Sequence, residues 1–507
     1  MQRCNRGKYQ LAVSQKIRKK PWICFGGCRK VFLCATMIFQ FGRFMAMESQ
    51  TRRNFFRIAG AAGVSALAAP RSTARFVAPA VVGVLDLGVK KVERTWIRIP
   101  FRPVPARNMI RELPSWNIFE ICKVTLGCGV VGFGETMVYY TTTPVSDDAV
   151  GRTIGRNAAE LLWDDSLGAG LQMALFDAVG KVVGLPIHRL LGPKHRDRAF
   201  LSWWAIDMSG QDWVLECKDA VAQGYTDFKS KARPWFDLDG QCRTLIPTLP
   251  DDFHIDFDFN STLLDSTHAG RYLAEIEKYK QVAIYETPLP PNDILGYKLL
   301  RLQTRVPLAL HLGNPEMVVI LKEDICDGFV IGGGASQVMS SGTLSAGVGK
   351  PFWLQVTGTG VTSTFALHLA AVLSHARWPA VNCHQLFTHQ MIRPAIRVEN
   401  GTAPVPEAPG LGVELDGDAV ERFRIEPFTK GQPPRPDLLL AIHWSSGATR
   451  YYAYAWQYFD DFMSGRLPIY AKGVYLERIP DDGSREWKEL RARAAQNPVH
   501  SGKPLKL

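Results

Sequence analysis

Two lysines, two carboxylates and an asparagine stand at the ends of three consecutive apolar runs. They are Lys229 and Lys231 in DFKSKARPW, Asp258 and Asn260 in HIDFDFN, and Glu286 in VAIYETPLP. Lys231 precedes Asp258 by 27 positions and Asp258 precedes Glu286 by 28. Such an interval holds one strand, one helix and two loops. Residues i and i+2 of a strand share a side, so both amines face one space, and Asp256 shares a side with Asp258. Two ammonium groups that close repel, which favours the neutral form of one and makes it a usable base for a carbon-bound proton. Its partner stays charged and holds a carboxylate. Asp258 and Glu286 are hard oxygen donors of the type that suits Mg²⁺ or Mn²⁺. A cation there stabilises the enediolate left when a proton α to a carboxylate is removed. The competing reading pairs each carboxylate with a barrel lysine as a structural ion pair.

The elements that must position these residues repeat along the chain. From residue 199, eight apolar runs end near Ala205, Lys231, Asp258, Glu286, His311, Ile331, Gln355 and Cys383, with helical stretches such as HAGRYLAEIEKY and FALHLAAVLSHA between most of them. Eight strands with crossovers predict a closed β/α barrel, which keeps its chemistry at the carboxyl ends of the strands. Before it, VKKVERTWIRIPF alternates as a strand. IFEICKVTLGCGVVGFGET reads as a hairpin, with turns and close approaches at Gly127, Gly129, Gly132 and Gly134. Residues 146–191 turn helical behind a cap at Ser146-Asp147-Asp148. Strands followed by helices predict an α+β unit. The chain thus divides into a leader over 1–75, a capping domain over 89–195, a barrel over 199–395 and a C-terminal extension over 396–507. The extension is expected to pack on the cap or on a partner.

The net charge of +12 belongs to the leader. Residues 1–75 hold 15 Lys/Arg and one acid, Glu48, which leaves 45 basic and 47 acidic residues beyond. No basic stripe remains to neutralise phosphates, which excludes a nucleic-acid partner. Thr51-Arg52-Arg53-Asn54-Phe55-Phe56-Arg57 before IAGAAGVSALAAP resembles a twin-arginine export signal, placing the folded protein in the periplasm; a cytoplasmic location is the alternative. Met45 or Met47 lies closer to this signal than Met1 does, so residues 1–44 read as untranslated. The apolar run is too short to span a membrane, and Trp22–Phe41 is broken by Arg29 and Lys30. The ten cysteines, four of them in the leader, form no disulfide framework.

On these motifs the chain resembles the enolase superfamily, in its mandelate racemase and muconate-lactonizing branch, over residues 90–410. Gly132-Phe133-Gly134-Glu135-Thr136 is similar to the family's GxGE turn, and Leu171–Leu191 with Gly192 to its helix before the barrel. Lys229-Ser230-Lys231 matches its KxK, Asp258-Phe259-Asn260 its DxN, and Glu286-Thr287-Pro288-Leu289 its ExPL. The resemblance implies an α/β chain with a modified (β/α)8 barrel of the (β/α)7β type, an N-terminal α+β capping domain, Mg²⁺ and a small carboxylate substrate. It makes Lys231 the base, Lys229 the carboxylate holder, and Asp258 and Glu286 the metal ligands. Asn260 and His311 stand beside them as supporting or weak ligands, and self-association is common in such barrels. Three departures follow. The fifth run has Leu312 and His311 where an acid is expected, with Asn314 near and Glu316 past the turn, which implies a divergent metal site. The sixth ends in glycines and the seventh offers Gln355, so no base faces Lys231. This argues against racemisation and leaves one-base chemistry, a cycloisomerisation or dehydration. The alternative is a catalytically degenerate barrel that binds a small anion. Arg102, Arg107 and Arg111 in the cap are further candidates for anion recognition.

Overall fold

The computed structural model describes residues 85–140, 142–428 and 431–503. The twin-arginine segment, the apolar stretches and Cys4, Cys24, Cys28 and Cys34 lie outside the described residues. Among the described residues no helix is long and apolar enough to cross a membrane, and five of the six cysteines are buried free thiols, Cys128 being exposed.

Strand β1 (Val89–Arg98) pairs antiparallel with β2 (Ile118–Leu126), and β2 with β3 (Val131–Met137). Helix α1 (Pro103–Glu112), with proline in its first turn, lies between β1 and β2. Helix α2 (Asp147–Thr153) starts where Ser146 Oγ accepts a hydrogen bond from Ala149 N at 3.1 Å. Helix α3 (Ala169–Val183) lies on β3. A Cβ on Gly132 or Gly134 would overlap the α3 backbone at Ala174 or Gly170, so these two glycines let the helix approach the sheet.

Seven parallel strands follow: β4 (Trp203–Ala205), β5 (Asp227–Lys231), β6 (His254–Asp258), β7 (Val282–Glu286), β8 (Leu308–His311), β9 (Gly328–Ile331) and β10 (Phe352–Leu354). They form one sheet in the order β10-β9-β8-β7-β6-β5-β4. Each ends within one residue of the position read from the sequence. The eighth run is an extended segment at Ala380–Val381 rather than a regular strand. Val381 N donates to Leu354 O at 2.8 Å, and Ser202 N donates to Ala380 O at 2.9 Å, which joins β10 to the chain entering β4 and completes the ring. The intervening helices are α4 (Gly210–Ala222), α5 (Leu238–Leu245), α6 (Ser266–Ile276), α7 (Ile294–Arg301), α8 (Met317–Glu323), α9 (Ala335–Gly347) and α10 (Gly360–Val372).

Strand alternation sets the orientation of the charged residues. Phe228 and Phe257 pack under α4, where Trp213 stacks on Phe257 with ring centroids 5.8 Å apart. Their alternating neighbours Lys229, Asp256 and Asp258 therefore point into the barrel. The cap is tied to the barrel by Glu135 of β3. Its carboxylate accepts from Thr359 N at 2.6 Å, Thr359 Oγ1 at 2.6 Å and Thr362 N at 3.0 Å, capping α10 from another part of the chain.

The C-terminal segment forms an antiparallel sheet from β11 (Leu439–His443), β12 (Thr449–Tyr452), β13 (Tyr475–Ile479) and β14 (Val499–Ser501), in the order β13-β11-β12-β14. Helix α11 (Ala455–Met463) and one face of this sheet close over Trp235 and Phe236, just past β5. Helix α12 (Arg485–Gln496) covers the other face through Trp487, Leu490 and Ala494. Tyr470 Oη donates to Ala232 O at 3.1 Å, and Tyr458 Oη donates to Glu112 of α1 at 2.9 Å. The segment thus covers the chain leaving β5, next to Lys231.

Candidate active site

The ends of β5, β6 and β7 bring the sequence-predicted residues into one cluster. Lys231 is the register partner of Asp258, and Asp258 of Glu286. Lys231 Nζ is ion-paired with Asp258 and donates to Asn260 Oδ1 at 3.0 Å. Asp258 also accepts from Asn260 N at 2.9 Å. Lys229 Nζ is ion-paired with Glu286 and lies 4.1 Å from the centre of the Trp353 ring of β10. His311 ends β8 with Nε2 at 2.9 Å from the buried Glu286 Oε1. Both positive charges are therefore matched one for one by carboxylates. Lys229 and Glu286 are wholly buried, whereas the Lys231 side chain keeps 18% of its surface. The direct carboxylate contact expected of Lys229 is not what the structure shows: the amine is covered, and its charge acts through Glu286 and through space.

Burial alone would push the Glu286 carboxyl up. The Lys229 ammonium, His311 and Lys231 outweigh it and hold the group well below the usual carboxylate range. One layer deeper, Asp256 is buried with neither carboxyl oxygen hydrogen-bonded. Burial, reinforced by the Asp227 carboxylate, pushes it up to about 8 from its ordinary 3.8. Folding therefore retains a proton that the unfolded chain has shed. This contribution to stability is complete below 3.8 and is lost as pH rises through about 8. Asp256→Asn, which does not titrate, is expected to flatten the fall in stability across that window by roughly 1 kcal/mol per pH unit. Denaturant unfolding at several pH values measures the slope; parallel curves for the two proteins would refute it.

The arginines of the cap do not serve as free anion receptors. Arg102 pairs with Glu216 at 2.6 Å and Asp219 at 2.9 Å, Arg107 pairs with Asp212, and Arg111 pairs with Asp207 at 3.1 Å. These contacts tie α1 to α4 and to the chain leaving β4. The arginine that does reach the site is Arg233, which is 5% exposed. It donates to Asn260 Oδ1 at 2.7 Å and to Asp258 O at 3.3 Å, and no acid pairs with it among the described residues. It continues the same-side alternation of Lys229 and Lys231, which was the signal in the sequence.

A cavity of about 590 Å³ opens between the cap and the ends of β8, β9 and β10, beside this cluster. His311 lines it, as does Tyr140, whose ring packs on Trp116 at 4.3 Å. Gly332, Gly333 and Gly334 after β9 and Gln355 after β10 form the wall opposite. A Cβ on Gly334 would overlap Asp165 of the cap, so the glycines are where cap and barrel touch.

Two neighbouring carboxylates, Asp258 and Glu286 in register on adjacent strands, fit a divalent cation of the Mg²⁺ type, which takes one or two protein carboxylates and completes its shell with water and substrate. Among the described residues no group of three or more His, Cys, Asp or Glu side chains is gathered closely enough to hold a metal by itself.

This architecture is an α/β barrel with an α+β cap and a charged cluster at the strand ends. Residues 212–419 match the family described as enolase C-terminal domain-like. The o-succinylbenzoate synthase of Geobacillus stearothermophilus is 27% identical over 276 residues, covering 50% of this chain and 69% of that one. The arabinonate dehydratase of Saccharolobus solfataricus is 23% identical over 341 residues, covering 58% and 88%. Among solved structures, the N-succinyl Arg/Lys racemase from Bacillus cereus superposes with a TM-score of 0.57 at 19% identity, covering 67% of this chain and 98% of that one. The barrel part of the chain thus resembles the enolase C-terminal domain-like family, and the chain shares its fold with the racemase and cycloisomerase structures.

Proposed function

We propose that this protein is an isomerase or lyase that removes the proton α to a substrate carboxylate, followed by cycloisomerisation or dehydration. The observation that carries the proposal is the exit of β5. Lys231 keeps open surface there, held by Asp258 and Asn260, at the mouth of a barrel of this family. Lys231 Nζ takes the proton. Asn260, itself fixed by Arg233, sets the direction of the amine. Lys229 keeps the floor of the site neutral against Glu286. Tyr140 and the cap line the cavity on the side away from the barrel strands. Asp258 and Glu286, with Asn260 and His311 beside them, would hold Mg²⁺ or Mn²⁺, whose charge stabilises the negative charge that develops on the substrate carboxylate. Glycines at the end of the sixth barrel run and Gln355 at the end of the seventh, where a second base would stand, favour a reaction that needs only one. The twin-arginine-like segment adds export of the folded enzyme to this proposal.

A second reading, a barrel that binds a small anion without turning it over, is favoured by the ion pairs that already occupy both site carboxylates. Mn²⁺ titration followed by electron paramagnetic resonance separates the two. The enzymatic reading expects a saturable site that disappears in Glu286→Gln. No saturable binding to the wild-type protein would favour the second reading.

A further inference from the structure

We infer that Tyr470 of the C-terminal segment is a positioning residue for the Lys231 amine, acting through the two loops that leave β5 and β6. The inference rests on the proton-abstraction reading for what Lys231 does once placed, not for how it is placed. Tyr470 lies beyond residues 212–419, the part of the chain that matches the family, so this hold reaches the site from outside the matched barrel.

Lys231 is the last residue of β5, and Asn260 stands two residues past the end of β6. The backbone ladder reaches one step further: Ala232 N donates to Asp258 O and Phe259 N donates to Glu286 O, each at 3.0 Å. The carbonyls of those same two residues are taken by hydroxyls. Tyr470 Oη donates to Ala232 O at 3.1 Å, Thr262 Oγ1 donates to Phe259 O at 2.6 Å, and the two hydroxyl oxygens lie 2.6 Å apart. Two protons serve three contacts, so the two hydroxyls form one bridge between the loops. Ala232 sits between Lys231 and Arg233, and Phe259 between Asp258 and Asn260. The bridge therefore joins the same two stretches of chain as the contacts of Lys231 with Asp258 and Asn260 and of Arg233 with Asn260. A shift of either loop re-aims the amine, and a displacement of about 1 Å at a reacting group costs up to about 10²-fold in rate.

Tyr470 is itself held firmly. Its ring centre lies 4.5 Å from that of Tyr272 on α6 and 6.0 Å from that of Phe259. The residue is buried, and burial pushes the phenol above its ordinary 10, so the hydroxyl keeps its proton. Its backbone has a φ of +45°, in the left-handed region that a bulky side chain seldom adopts and that glycine would enter freely. A tyrosine kept in that conformation is held there by its surroundings, and the contacts that hold it are those of its ring and hydroxyl.

Trace labelling of the full-length protein with dinitrofluorobenzene, with the modified lysines mapped by mass spectrometry, reads the Lys231 amine without any substrate. Tyr470→Phe, which removes only the hydroxyl, is expected to raise Lys231 labelling about threefold or more, the low end of what one hydrogen bond contributes to an open–closed equilibrium. The exposed Lys218 of α4 and the wholly buried Lys229 should label as in the wild type. Loss of the α-hydrogen of D-arabinonate in D₂O is expected to slow about tenfold. Thr262→Val breaks the bridge at its other end and should repeat both changes, and Thr262→Ser should reverse them; this pair gives the answer if Tyr470→Phe does not fold. Wild-type labelling of Lys231 in a folded Tyr470→Phe or Thr262→Val protein overturns the inference and leaves the proton-abstraction reading in place. Faster labelling in both variants, with α-hydrogen loss that survives Lys231→Ala, overturns that reading and leaves the positioning role in place.

Discussion

Replacement of Lys231 by alanine is expected to lower turnover of a bound carboxylate substrate by 10²–10⁴-fold, the range a positioned general base contributes. Overall stability should change little, because the Lys231 side chain is partly open and its removal leaves Asp258 with the Asn260 N–H as a partner. Loss of rate with an unchanged melting profile is thus the signature of chemistry rather than of structure. Lys231→Arg sharpens the test. It retains the positive charge, the pairing with Asp258 and the reach to Asn260, but a guanidinium does not give up its proton in this pH range. If the Lys231 amine were only an ion-pair partner, arginine would restore function; the proton-abstraction reading expects it to stay as inactive as alanine. A full rate in either variant would remove Lys231 from the chemistry.

Glu286→Gln is expected to have the largest effect on stability, about 3–5 kcal/mol by denaturant unfolding. Lys229 and Glu286 are both wholly buried, and removing one member of a buried pair leaves the other as an uncompensated charge. The pH dependence carries a second signature. Because the folded-state Glu286 carboxyl lies below its ordinary 4.5, its contribution is present above that value and is lost as pH falls through the folded value. The variant should therefore show a shallower acid limb than the wild type. The double variant Lys229→Met/Glu286→Gln removes both charges and is expected to recover part of the loss. A Glu286→Gln protein as stable as the wild type would mean that the pair contributes nothing.

The ends of the barrel strands were legible because each run finishes where apolar alternation meets a polar or glycine residue, and the interval near 28 residues allows one strand and one helix. Phe228 and Phe257 had to face the helices, which left Lys229 and Asp258 to face inward. The eighth strand was legible only as a run near Cys383. Its few backbone hydrogen bonds at Ala380 and Val381 leave no periodic pattern to read. The pairing of the lysines with the carboxylates was one of two readings the sequence allowed, since the same alternation serves a cation site or an ion pair. Arg102, Arg107 and Arg111 misled because their acids, Glu216, Asp219, Asp212 and Asp207, lie about a hundred positions away in another element. Trp353 beneath Lys229 and the C-terminal helix beside Trp235 share this cause: each contact is long-range and has no local signal. Arg233 was within reach, as the next same-side residue after Lys231.

Proton NMR of D-arabinonate incubated with the protein and Mg²⁺ in D₂O addresses proton removal at the α-carbon most directly, because it requires no knowledge of the final product. The amine at the β5 exit should cause the α-hydrogen signal to fade through exchange or loss, at a rate that vanishes in Lys231→Ala. Demonstrable binding of the acid with its α-hydrogen signal untouched by the wild-type protein would contradict the account.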